Sequence, residues 1–138
     1  MLKASNIAIF LLRFVSGLML AYFHGLGKVK SAIGYFIQGN EWKFLDTVRN
    51  IGFPAPGVFA LAATISEFIG GILLAVGLFT RYSAIFIAIT MGVAIYRHLT
   101  TDMRFELAGL YFLIALVFVF KGGEGISIDG LIKKGYNH

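Results

Sequence analysis

Residues 58–80 read VFALAATISEFIGGILLAVGLFT and carry one charge, Glu67, near the middle. As a helix this stretch reaches about 34 Å, enough to cross a hydrocarbon core of about 30 Å. A lone carboxylate at that depth costs roughly 2.5–3.5 kcal/mol on insertion scales, so the chain must offer it a partner or a proton. Ala60, Ala63, Thr64, Gly70, Gly71 and Ala75 recur at helical spacings from Glu67. All are small, so Glu67 belongs to a face built for helix contact and not to the lipid face.

The whole chain supports a membrane reading. Hydrophobic residues make up 58% and charged residues 14% of 138, and mean hydropathy is +0.82. Soluble domains hold about 25% charged residues. The net charge of +5 is spread between apolar runs, which suits lipid headgroups better than nucleic acid. With no cysteine, the chain can form no disulfide and ligate no iron–sulfur cluster through thiolates.

The expected architecture is all-α: one domain over residues 1–138, an integral membrane four-helix bundle with antiparallel up-down order. Its spans are expected near 6–23, 58–79, 82–97 and 105–120. The first is read as a retained span and not as a signal peptide, because Arg13 interrupts it and no small-x-small cleavage site follows. Residues 24–57 read as a long connection with a short interfacial helix around Trp42, Phe44 and Leu45, tryptophan favouring headgroup depth. Arg81 and Tyr82 form a turn short enough to make spans two and three a hairpin. The glycine-rich tail from Lys121 is expected to lack regular structure.

Arg13 is the second charge inside a span. Eleven residues separate it from His24, about three turns, so the two should align. Counted from the ends of the 24–57 connection, Arg13 and Glu67 lie at matching depths, roughly 13–17 Å below one surface. An Arg13–Glu67 ion pair is therefore the expected intramembrane polar site. His24, Lys28, His98 and Glu106 are expected as a polar cluster at the surface end facing the connection, and Gly17, Gly70 and Gly71 as close-packing positions. His24 and His98 could also serve a haem, and with Glu106 a zinc or copper ion. No clustered spacing supports a metal, and none is expected.

With these residues in place, the chain resembles the DoxX family of small bacterial membrane proteins over nearly its whole length. The segments that carry the resemblance are LLRFVSGLMLAYFHGLGKV, GFPAP, SEFIGGILLAVGLFTRYSAIFIAITMGVAIYRH and FELAGLYFLIALVFVFKGGEGISIDGLI. Arg13, His24, Gly25, Lys28, Glu67, Gly70, Gly71, Arg81, His98, Glu106 and Asp129 match the family's polar and glycine pattern. The resemblance implies a four-helix membrane bundle in the bacterial inner membrane, with both termini in the cytoplasm. Some members are associated with oxidoreductase assemblies, including thiosulfate:quinone oxidoreduction and oxidative-stress complexes.

Three functions fit these residues. The first is the membrane subunit or anchor of a redox complex, whose Arg13/Glu67 site takes a quinone-like lipophilic molecule. Donors and an acceptor suit a carbonyl, but the chain has no electron carrier of its own, so turnover needs an oxidoreductase partner subunit. The second is a structural scaffold whose Arg13–Glu67 pair fixes the bundle register. The third is a small proton or solute pathway, for which four short helices leave little room unless the protein forms a homo-oligomer. The lipid bilayer is the expected partner throughout, and nucleic acid is not.

Overall fold

The computed structural model describes residues 3–137, and 81% of these are helix. Three helices are long and apolar enough to cross a membrane: α1 (Ala4–Gln38), α3 (Pro56–Val76) and α4 (Thr80–Thr100). Three shorter ones accompany them: α2 (Lys43–Ile51), α5 (Glu106–Lys121) and α6 (Ile128–Gly135). No strand occurs among the described residues. Large apolar side chains face outward along the long helices, Phe23, Phe86 and Ile89 among them. In water such a surface would be an aggregation site; in a bilayer it faces acyl chains.

The first helix departs most from expectation. It does not end near residue 23 but runs on to Gln38, 35 residues in all, or about 52 Å. Residues 24–38, expected as connection, are its second half. Glycines at 25, 27 and 34 suggested a loop, yet Gly25 is in the helix because α3 leaves no room for a side chain there. A Cβ at Gly25 would lie 2.6 Å from Phe68 Cα. The helix stops at Gly39, whose φ of +71° favours glycine, and the next N–H, from Asn40, bonds the Gly34 carbonyl at 3.2 Å.

Helices α1 and α3 meet backbone to backbone. A Cβ on Gly17 would come within 2.6 Å of the Gly71 carbonyl oxygen, and one on Gly71 within 2.8 Å of the Gly17 oxygen. Ala21 and Ala75 extend the contact, so small residues set the approach of the two helices. Gly70 instead faces α4, where a Cβ would meet Ile87 at an ordinary 3.6 Å. Helix α4 packs on α5 through Ile87, Met91, Tyr111, Ala115 and Phe118, all buried.

Each of the two interacting helices contains one π turn, at Leu20–Gly25 in α1 and Ser66–Gly70 in α3, and the two turns pack on each other. A π turn inserts one residue, advancing the helix face by about 100°. Faces projected across residues 20–25 or 66–70 with a uniform 3.6-residue period are therefore out of phase. That includes the expected alignment of Arg13 with His24.

Helix α2 forms, but Trp42 at its start turns inward, 2% exposed, among the rings of Tyr35, Phe36 and Phe44. It packs with Ala32, Leu45, Val48 and Ala60, so its ring is buried within the protein. The tail likewise is not irregular throughout. Ser127 caps α6 by accepting the Gly130 N–H at 2.9 Å, the side-chain oxygen satisfying a free helix-end donor.

Candidate functional site

The antiparallel register follows from the glycine contacts. Gly17 faces Gly71 and Ala75, while Gly25 faces Phe68. Residues of α1 and α3 at one height thus have numbers summing to about 92. Arg13 lies at the height of Gly77–Phe79, and Glu67 at the height of Gly25. The expected ion pair between Arg13 and Glu67 does not form; about 15–18 Å of helix separates the two levels. The depth count failed because the helix passes beyond His24, where the connection was expected to begin.

Glu67 instead pairs with Lys28. Lys28 Nζ lies 2.5 Å from Glu67 Oε2, with the two side chains 24% and 4% exposed. Helix α1 supplies the lysine only because it continues past its π turn. The same ammonium stands 4.2 Å from the centre of the Phe44 ring, a cation–π contact contributed by α2. His24 stands one turn before Lys28 on α1. Its ring meets Tyr111 of α5 edge to face at 5.5 Å. Nearby, Ser66 accepts from the Thr90 hydroxyl of α4 at 3.0 Å. Side chains from α1, α3, α4 and α5 therefore converge around the two π turns.

Lys28 also lines a cavity of about 360 Å³ with Gly27, Ser31, Trp42 and Phe44. The Trp42 indole N–H is closed off within the fold and has no hydrogen-bond partner. An unsatisfied buried donor is costly, roughly 1–3 kcal/mol. The cavity wall offers the Lys28 and Lys43 ammoniums, the Ser31 hydroxyl and the Glu41 carboxylate, with the Glu67 carboxylate behind Lys28.

The remaining expected site residues lie elsewhere. His98 Nδ1 is 2.7 Å from Asp102 Oδ1 at the end of α4. Glu106 is exposed in the first turn of α5. Among the described residues no three histidine, aspartate or glutamate side chains gather in a way that could hold a metal ion. The Asp102 carboxyl is held below its ordinary range, first by the His98 hydrogen bond and then by the Arg104 N–H.

Arg13 has a different task. It is 1% exposed, and its Nη2 donates to the Ile126 carbonyl at 2.5 Å. Its guanidinium lies against Gly77, where a Cβ would come within 2.8 Å of Cζ. The nearby Asp129 carboxylate accepts from Phe79 N at 2.9 Å, Thr80 N at 2.8 Å and Thr80 Oγ1 at 2.7 Å. A tail carboxylate thus caps the start of α4, where free N–H groups favour negative charge. Arg13 and Asp129 fasten the tail over the α3–α4 turn.

Sequence reasoning missed Trp42, Tyr111 and the pairing of Lys28 with Glu67. One signal was present for the lysine: His24 and Lys28 are four apart, the spacing of one helix face. Nothing local to Trp42 marks its indole as inward-facing.

The site can be set beside known proteins. A family model described as DoxX matches residues 8–100, which includes Arg13, His24, Lys28 and Glu67. The chain is 32% identical over 143 residues to a protein of Bacillus subtilis (strain 168) named "Putative oxidoreductase CatD". The alignment covers 92% of this chain and 98% of that one. No solved structure matches. With a family match over two thirds of its length and a relative aligned nearly end to end, this chain, a membrane protein, belongs to the DoxX family.

Proposed function

We propose that the protein is the membrane subunit of a redox-linked complex and that the Lys28–Glu67 site binds a quinone-like lipophilic molecule. The observation that supports this most is the Lys28 ammonium, paired with Glu67 and lining one cavity with Ser31, Trp42 and Phe44. A quinone carbonyl needs donors, and the Ser31 hydroxyl and the Lys28 ammonium are two. The reduced form needs an acceptor for its hydroxyl proton, and the Glu67 carboxylate, held 2.5 Å from the ammonium, is one. Phe44 supplies a flat apolar wall. This site replaces the Arg13/Glu67 site expected from sequence.

In this reading α5 completes a four-helix up-down bundle. Its 16 residues reach about 24 Å, so it crosses only where polar ends or a thinned bilayer make up the difference. Helix α2 lies at the membrane surface and closes the cavity from the side. The chain has no cysteine, so electrons reach a bound quinone through a partner subunit. The name of the Bacillus subtilis relative, an oxidoreductase, agrees with such a setting.

The test is extraction of the purified protein followed by mass spectrometry for prenylated quinones. The expected result is near-stoichiometric quinone on the wild-type protein and little on Lys28→Met or on Ser31→Ala, which removes the hydroxyl alone. Equal quinone on all three, at the level of the surrounding lipid, would show that the site is not a quinone site.

A further inference from the structure

A second cleft lies at the other end of the molecule, about 390 Å³ in volume, between the α3–α4 turn, the end of α5 and α6. Three elements each give it one base: Arg81 from the first turn of α4, Lys121 from the last residue of α5 and Lys133 from α6. All three are exposed. Among the described residues none has a carboxylate within 4.0 Å. Arg81 is held toward α5, its Nη2 donating to the Phe120 carbonyl at 3.3 Å, and a Cβ on Gly122 would lie 2.8 Å from its Nε.

Two acids share the cleft, Asp129 and Glu124. The Asp129 oxygens already accept three hydrogen bonds at the start of α4, so its charge is largely answered. Glu124 is exposed, which leaves the bases in excess. The surroundings are apolar: Phe79, Tyr82 and Phe120 are 60%, 68% and 78% exposed. Cations from three elements, ringed by outward-facing aromatics at the end of membrane-long helices, match a phosphate that carries acyl chains. Aromatic rings favour headgroup depth, and clustered bases attract anionic lipid there.

We propose that this cleft binds the headgroup of an anionic phospholipid, its phosphate held by Arg81, Lys121 and Lys133. A free phosphate offers the same charge but leaves the aromatic rim without a role. The bound lipid ties α6 to the α4–α5 pair, independently of what occupies the Lys28–Glu67 cavity.

The test is native mass spectrometry of the full chain released from detergent, with phosphatidylglycerol or phosphatidylcholine added. Wild-type protein should retain phosphatidylglycerol and lose phosphatidylcholine. Neutralising each base costs about fivefold in retention, so the triple variant R81Q/K121Q/K133Q should fall by on the order of a hundredfold. The single variant Lys133→Glu, outside the core, should also fall, while Arg97→Gln at the opposite end should not. Thermal melting of each variant shows that it is folded. Inorganic phosphate in tenfold excess should leave the lipid bound. Equal retention of both lipids, unchanged retention by folded R81Q/K121Q/K133Q and Lys133→Glu, or displacement by inorganic phosphate in tenfold excess would each overturn the assignment.

Discussion

The central charge of this protein takes its partner from its neighbour's later turns, and single side chains show the consequence. Glu67→Gln leaves Lys28 near-buried without its counter-charge. The expected loss is about 3 kcal/mol, at the low end of the range for a broken buried pair because Lys28 keeps some solvent contact. Thermal melting in detergent measures it. Glu67→Gln with Lys28→Met should recover most of that loss, whereas Glu67→Gln with Arg13→Met should lose more than either change alone. Asp129→Asn weakens the cap on α4 and should cost about 1–2 kcal/mol. Limited proteolysis should then cut the tail between residues 121 and 128 sooner. At this scale the sequence was informative about which residues are buried in a special way, since Arg13 and Glu67 both stand out as charges in apolar runs. It was not informative about which of them meet. Pairing depends on register, and register depends on where α1 ends.

Two helices that touch through glycine have no slack, and that governs the elements. Gly17→Ala places a methyl group 2.6 Å from a backbone oxygen, which no rotamer change relieves. The expected cost is about 3 kcal/mol or more, the upper part of the overpacking range. Gly109→Ala is the matching control: nothing lies within 4 Å of its Cβ. Helix propensity favours alanine there by up to about 1 kcal/mol, so its melting temperature should hold or rise. The π turns explain why periodicity was a poor guide near the site. A uniform period predicts faces well over residues 71–76 or 106–121 but not across Leu20–Gly25 and Ser66–Gly70, and His24 and Glu67 sit inside those turns. At the α4–α5 link, Asp102 has a folded carboxyl below its ordinary value of 3.8. A depressed folded value means the carboxylate's contribution is fully present above 3.8 and fades as pH falls through the folded value. Acid-induced loosening of this link, followed by the NMR titration of Asp102, should begin below pH 3.8 and move up toward it in His98→Ala.

Over the whole molecule, polar groups divide between the two ends. One end gathers Arg13, Asp129 and the α3–α4 turn, fastened by the tail. The other gathers His24, Lys28, Glu67 and Trp42 around a cavity. Composition and hydropathy were enough to place the chain in a membrane, because an apolar surface of this extent has no other stable solvent. They could not reveal the cavity, which exists only because α1 continues past its π turn to Gln38 and α2 folds Trp42 back against that extension. The chain's single tryptophan lines that cavity, so its fluorescence reports occupancy directly. Titration with a short-chain quinone should quench Trp42 emission along a saturable curve in the wild-type protein. In Lys28→Met the saturable component should disappear. Quenching that rises linearly and identically in both proteins would mean that no site exists beside Trp42.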